Sequence, residues 1–371
     1  MNFTYFKANM AIACKSKKNI SLISLTIIFS LFFVLIVEKQ NIGDGVKIWQ
    51  NYRDSVQVNV NYFDGNSLQK KNYKATYDNL NEQSAQLANL QNGEMFDSPR
   101  QYLRSYKNLL NTMMAGYRNN YVGAHTLNVP SKFQIKQQLA QVNYLYKNEI
   151  PISMNYKKSS TYLIYLLSII GNFLFFYILA ISGDSWMINL RHKTLLNDIP
   201  YTKKDEVFGK IFINVLFVLM SLIISIIGAY LFAGFRNGFI SLRYPVVFYT
   251  NKIQIIPLWS YIFIFLAYAI IMTIFITCLC LVLNQVFKNE YLTFLIATAV
   301  YALSLLSNQV LKVILFLPSI YLNINNLLSG FYANKNGSNF LNIFIGTIIL
   351  IIWSIVLIQV FKSRVNKGGS K

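Results

Sequence analysis

The chain has 371 residues, of which 54% are hydrophobic and only 13% charged, whereas a soluble domain carries about a quarter charged residues. The apolar residues are gathered into blocks, which selects a lipid bilayer as the solvent. A formal net charge of +20 would suit a nucleic-acid binder, but the lysines and arginines lie between apolar blocks and form no basic stripe, so membrane topology accounts for them and no nucleic-acid partner is expected.

Residues 1–19 mix Phe3, Phe6, Met10 and Ile12 with lysines. This pattern suits an amphipathic helix lying in the membrane interface, the alternative being a frayed tail. Spanning segments need about 20 mostly apolar residues, and six candidates follow: Ile20–Val37, Thr161–Ser182, Ile211–Phe235, Pro257–Leu283, Tyr291–Ser307 and Leu341–Phe361. The first has the lysine lead and apolar core of a signal peptide. "LIVEKQNIG" follows it with no small-x-small cleavage pattern, which makes it an uncleaved anchor.

Residues 38–158 form a polar domain between the first two spans. "DSPRQYLRSYKNLLNTMMAGYRNN" offers Ser98 as helix cap and Pro99 at the first helical position, followed by Tyr102, Tyr106, Leu109, Leu110 and Met113 at helical spacing. "PSKFQIKQQLAQVNYLYKNE" predicts a second helix with Phe133, Leu139, Val142 and Leu145 on its apolar side, and "YKATYDNLNEQSAQLANL" a third. "DSVQVNVNYF" alternates Val56, Val58 and Val60 and favours a strand, although one strand alone is marginal. A small, mainly helical domain is expected.

Between the second and third spans lies residues 183–210. After Pro200, Thr202 is placed as an N-cap and Asp205 as its capping-box partner, with Glu206 also in the first turn. That helix should run directly into the third span. The stretch from Trp186 to Leu196 can lie as an amphipathic helix on the membrane surface, and Pro200 then makes a corner between the two. A plain basic loop with a snorkelling rim is the simpler alternative. Further on, residues 308–340 are too apolar for an ordinary loop, and Pro318 and Gly330 break them. They read as a re-entrant helical hairpin, or as a longer, tilted fifth span that reaches Leu317 with Lys312 snorkelling outward.

Orientation follows from the basic residues in short loops. Lys7, Lys15, Lys17 and Lys18 precede the first span, and Lys362, Arg364, Lys367 and Lys371 follow the last, in both cases without an acid. Six spans put both ends on one side, with residues 183–210. The expected topology is a multi-pass protein of the cell membrane. Both termini and the 183–210 loop are then cytoplasmic, the 38–158 domain is extracellular, and 362–371 is a cytoplasmic tail.

Catalytic patterns are missing. The chain has two histidines, His125 and His192, and contains neither H-E-x-x-H nor G-x-S-x-G. No G-x-x-x-x-G-K-[ST] phosphate loop occurs. Cys278 and Cys280 are two apart, point to different helix faces and suit packing better than a metal. The spans carry almost no ionisable residue, which argues against a proton-driven pump. Asn172 is their main polar exception and reads as interhelical glue. No catalytic residue, metal site or resident cofactor is expected.

A second span, a surface helix, a Leu-x-x-x-Pro-Tyr-Thr-Lys turn and a Gly-Lys entering the third span together resemble the permease subunit of a type-2 ATP-binding-cassette exporter. The matching residues are Leu196, Pro200, Tyr201, Thr202, Lys203 and Lys210, and Asp184 stands where the family often has a glutamate. The interfacial N-terminal helix, the short fifth span and the partly buried external segment fit the same family. The added domain is similar to that of Gram-positive peptide-export and peptide-resistance permeases. The resemblance implies an all-α membrane protein that pairs with a second permease subunit and with separate ATPase subunits, which bind ATP and magnesium. It implies that the loop around Asp184, Arg191, His192, Leu195, Leu196, Asp198, Pro200, Tyr201, Thr202, Lys203, Lys204 and Lys210 docks on the ATPase. The cargo would be hydrophobic or amphipathic, a peptide being one candidate. The alternative is a sensor or mechanotransmitter, or a peptide-resistance component, acting through its external domain without transporting.

Overall fold

The computed structural model describes residues 3–96, 98–153, 155–187, 202–305, 315–338 and 340–368. In chain order these form α1 (Phe3–Lys15), α2 (Lys17–Lys39), α3 (Gly45–Asn61), α4 (Lys71–Met95), α5 (Pro99–Gly116), α6 (Lys132–Lys147), α7 (Ser159–Ser182), α8 (Lys203–Asn237), β1 (Pro245–Tyr249), β2 (Ile253–Pro257), α9 (Leu258–Phe287), α10 (Glu290–Ala302), α11 (Ile324–Leu328), α12 (Phe331–Asn336) and α13 (Ile343–Gly368), with short 3-10 turns between them.

Five of these helices are long and apolar enough to cross a membrane: α2, α7, α8, α9 and α13. Their faces are consistent with a membrane-embedded protein. Half of the apolar stretch of α7, α8 and α9 is buried, against 17% for α2 and 22% for α13, so the first three form the centre of the bundle. The flanking helices turn Phe29, Phe32, Ile348, Ile352 and Ile355 outward, as lipid contact requires. The expected fifth span is α10, a 13-residue helix. At 1.5 Å per residue it is about 20 Å long, short of a hydrocarbon core of about 30 Å.

The bundle has two ends. One carries the amino ends of α2, α8 and α10, the carboxyl ends of α7, α9 and α13, and residues 183–187 and 202, which lead into and out of the 183–210 loop. The other carries the α3–α6 domain and is termed here the domain end. At the loop end the expected N-terminal helix is present as α1. Its Ala13 packs against Ile213 and Phe217 of α8 with Phe6 and Met10 alongside, and the Phe6 ring meets Phe212 edge-on at 5.4 Å.

The α3–α6 domain has a core of its own. In α4 the buried residues Thr76, Leu80, Gln83, Leu87 and Leu90 recur at steps of four and three, a single helical stripe. In α5 the buried set contains the expected Tyr102, Leu109, Leu110 and Met113. Ser98 stands at its N-cap position without a side-chain bond, and Pro99 opens the helix. Ser131 and Gln134 close a full capping box on α6, whose expected Val142 and Leu145 are buried while Phe133 and Leu139 are half-buried.

The expected strand around Val56 is instead the second half of α3. Trp49, Tyr52 and Val56 are buried at helical spacing, while Val58 is 47% exposed. The valine alternation is thus overridden by a three-and-four period that begins upstream and has α4 and α5 to pack against. Several polar groups in this core are paired. Tyr52 donates to Gln83 Oε1 at 2.5 Å, and Gln83 Nε2 reaches Asn79 Oδ1 at 2.7 Å and the Tyr121 hydroxyl at 3.1 Å. Fully buried Asn59 holds the loop after α5 by accepting from the backbone N–H groups of His125 and Thr126.

Residues 245–257, expected as loop, form an antiparallel hairpin pairing Val246 with Ile256 and Phe248 with Gln254. The two β-branched runs on either side of Thr250–Lys252 are the local signal. This hairpin carries the domain. Gln141 Nε2 of α6 donates to Pro245 O at 3.3 Å, Gln137 Nε2 donates to Ser329 O at 2.6 Å, and the Phe133 ring meets Tyr249.

Pro318 opens a 3-10 turn (Pro318–Leu322) at its first position, and Gly330, at φ +74°, separates α11 from α12. A Cβ at Gly330 would run into the Tyr249 ring. Ile320, Tyr321, Leu322, Ile324, Leu327 and Leu328 are fully buried, so this segment belongs to the bundle core. Residues 315–317 are turn and bend, so no helix continues from α10 through to Leu317. Lys312 lies outside the described residues. Asn325 Nδ2 donates to Asn172 Oδ1 at 3.2 Å, and the expected glue residue joins α7 to α11. Cys278 and Cys280 are both buried in packing, and Cys14 is exposed.

Burial pushes the Tyr102 hydroxyl up to about 12 and raises Tyr52, Tyr106 and Tyr121 of the same domain. Their unfolded value is about 10. The folded state therefore keeps protons that the unfolded state loses, and stability falls as pH rises from about 10 to about 12. Alkaline titration should give cooperative loss of helical circular dichroism together with the tyrosinate absorbance. Tyrosines titrating near 10 with the fold intact would contradict this.

Candidate functional site

The 183–210 loop returns to the bundle through Thr202. Thr202 Oγ1 accepts from the Asp205 backbone N–H at 3.2 Å, and Asp205 Oδ2 accepts from the Thr202 backbone N–H at 3.2 Å and from its hydroxyl at 2.8 Å. This is the expected capping box with Asp in place of Glu. Both acids of the first turn, Asp205 and Glu206, lie at the positive end of the helix dipole. From this start α8 continues for 35 residues without a break.

One turn further along, Glu206 and Lys210 are four apart and share a face. Both are only 6% exposed. The Lys210 side chain, Asp184, Ser185 and Asn214 line a cavity of about 20 Å³, together with Asn9 and Asn19 from the N-terminal helices. That volume holds a single water. Asp184 is itself bound by Lys18, Nζ to Oδ1 at 2.6 Å. Lys18 is at the start of α2, so the N-terminal segment, the loop entrance and the start of α8 meet at one charged point.

Beneath it is a layer of uncharged polar groups. Asn214 Nδ2 lies 3.0 Å from Ser185 Oγ and 3.2 Å from both Ser182 Oγ and Thr277 Oγ1. Ser182 and Thr277 are 3.1 Å apart. Asn284 Nδ2 donates to Gly183 O at 2.8 Å, and Asn284 Oδ1 accepts from the Thr293 hydroxyl at 2.6 Å. Trp186 packs edge-on against Phe361 at 5.0 Å. Thus α2, α7, α8, α9, α10 and α13 are all tied to the residues that lead into and out of the loop. The layer brings no nucleophile to a base, and among the described residues no three His, Cys, Asp or Glu side chains are grouped as metal ligands.

Of the residues expected at this site, Asp184 and Lys210 are brought together at this cavity, Thr202 caps α8 about two turns earlier, and Lys203 and Lys204 occupy the first turn of α8. Arg191, His192, Leu195, Leu196, Asp198, Pro200 and Tyr201 lie outside the described residues. Pro318 and Gly330 sit at the domain end, away from the loop. Sequence reasoning missed Lys18, Ser182, Ser185, Asn214, Thr277, Asn284 and Thr293. The available signal was single polar residues interrupting apolar runs, spread over several helices. Comparison with protein-family models, with curated proteins and with solved structures finds no match.

Replacing Thr202 with Ala removes the cap and should cost about 1 kcal/mol. Hydrogen exchange at the first-turn amides of α8 should rise about fivefold with the rest of the helix unaffected. Replacing Asn284 with Ala leaves Gly183 O without its side-chain donor and Thr293 Oγ1 with Asn289 O alone. In detergent, thermal unfolding of that variant should show a loss of about 1–2 kcal/mol.

Proposed function

We propose that the chain is the membrane permease subunit of an ATP-driven exporter of the cassette type, and that a separate subunit hydrolyses ATP beneath its 183–210 loop. The observation that carries this reading is the continuity between that loop and the bundle. The capping box at Thr202 opens a single helix of 35 residues, about 52 Å long. A displacement at the loop therefore moves a central helix as a rigid body. The polar layer around Asn214 and Asn284 ties α7, α9 and α10 to the same point, and the Lys18–Asp184 and Trp186–Phe361 contacts add α2 and α13, as transmission of a docking event requires.

In this reading α10 completes a six-span pattern as a short fifth span, and residues 315–342 close the bundle as a re-entrant segment at the outer face. The termini and the loop are cytoplasmic, and the α3–α6 domain is extracellular. Two such subunits, identical or related, would enclose the path of a hydrophobic or amphipathic cargo. The sensor alternative draws support from the bonds of Gln137 and Gln141 to the outer segments, which tie the domain to the bundle.

Two measurements test the proposal. Purification from its own membrane should bring a cassette-type ATPase, and joint replacement of Pro200, Lys203 and Lys204 by Ala should uncouple ATP hydrolysis from cargo movement while leaving insertion intact. Recovery of the chain alone, or unaltered coupling in the triple variant, would reject it. Impermeant thiol reagents should label Asn66→Cys, on the domain, from outside intact cells, and should not label native Cys14 or Lys288→Cys. The reverse pattern would invert the topology.

A further inference from the structure

A large pocket lies where the α3–α6 domain meets the bundle. It has a volume of about 680 Å³, within the usual range of ligand sites. Helices α3, α5 and α6 form one wall, and α7, β1, the start of α9 and α11 form the other. Three properties distinguish it.

The first is its charge. In a chain of net charge +20, no Asp, Glu, Lys, Arg or His among the described residues lines this cavity. A charged ligand group would lose its hydration there and gain no counter-ion. The second is its aromatic content. Seven aromatic side chains line it, all Tyr or Trp and none Phe. Trp49 donates to the Tyr102 hydroxyl at 3.0 Å, which fixes two of these rings in place. Such rings offer flat apolar faces and hydroxyl tips together.

The third is an unused edge of backbone. Leu258 N–H donates to Tyr244 O at 3.0 Å, which sets the alternation of the hairpin. Val246 and Phe248 bond to β2, and the N–H and C=O of Val247 face the other way. Gln141 takes Pro245 O on that same edge. Among the described residues, no hydrogen bond is made to the Val247 N–H or C=O, and Val247 lines the cavity. Across from it, Gln138 Oε1 is buried without a partner. An open strand edge beside an amide and a set of aromatic rings is the chemistry that recognises an extended peptide backbone with apolar side chains.

From these observations we propose that the cavity is a binding site for an uncharged peptide segment rich in aromatic or aliphatic residues. The segment pairs its backbone with Val247 and places its side chains among Trp49, Tyr102, Tyr106, Tyr244 and Tyr261. It rests on the export reading only in making that segment part of the cargo; binding itself requires no ATPase.

The test is calorimetric titration of the full-length chain in lipid nanodiscs, with no ATPase and no nucleotide. The probe is an acetylated and amidated tetrapeptide of Leu and Tyr, compared with the same peptide carrying a central Glu or Lys. The neutral peptide should bind, and either charge should weaken it at least about tenfold. Val247→Pro removes the outward N–H while leaving the bonds to β2, since proline is tolerated on a free strand edge. It should weaken the neutral peptide about tenfold with unchanged thermal unfolding. Gln138→Leu provides a second variant should the hairpin not accept proline, and should also weaken binding. Absence of binding, equal binding of charged and neutral peptides, or full affinity in a folded Val247→Pro protein would overturn the assignment, as would binding of a neutral oligosaccharide in place of the peptide. None of these outcomes bears on whether an ATPase docks at the loop, so each proposal can fail alone.

Discussion

The bundle depends on supplying protein partners to polar groups placed among apolar helices. In a bilayer interior no water is present to do so, and an unmatched polar group costs several kcal/mol. The structure meets part of this demand with long-range bonds from side chains to distant backbone, while the Ser225, Thr298 and Ser319 hydroxyls are buried with no protein partner among the described residues. Tyr162 donates to Ser30 O at 2.7 Å, Tyr268 to Tyr321 O at 2.7 Å, Trp353 Nε1 to Phe316 O at 2.8 Å and Asn284 to Gly183 O at 2.8 Å. Each such bond adds little net stability, about 0.6 kcal/mol on average between membrane helices. Their effect is on position. They fix which irregular carbonyl sits beside which helix, and so allow the turns at residues 315–330 to lie inside the bundle.

The same demand separates the chain into two cores. Apolar packing within α3–α6 and within the bundle is extensive, but the connections between them are mostly polar and few. Gln137, Gln141 and Ser153 reach across on one side, and Ser159 and Ser160 hold Ile240 on the other. Apolar contact between the cores is limited to a few side chains such as Phe133 and Ile164. The seam between them is where space remains, and that space is lined by residues which can pair with either water or a ligand.

What could be read from the sequence followed the strength of the local pattern. The long helices were legible because a run of about 20 apolar residues has few other uses. The start of α8 was legible because Thr202, Asp205 and Glu206 satisfy capping rules within a single turn. The strand assigned around Val56 failed because three alternating valines are a short signal, and burial of Trp49 and Tyr52 on the same helix outweighed it. The hairpin at 245–257 was hidden between two spans, where a loop is the default expectation. The polar layer was illegible for another reason. Ser182, Asn214, Thr277, Asn284 and Thr293 come from four helices, and nothing in a linear sequence reports that they share one level.

The length of α8 has a geometric consequence. It begins at the loop and ends at Arg236 and Asn237, where Arg236 Nε binds Glu38 at 2.7 Å and Asn237 Nδ2 donates both to Glu38 Oε1 and to Lys157 O. Those partners are the end of α2 and the last residues before α7, the two strands of chain that enter and leave the domain. A rigid rod of about 52 Å, pivoted at one end, swings its other end by about 4–5 Å for a tilt of about 5°. The helix is thus a lever arm, and its tip is bolted to both stalks on which the domain stands.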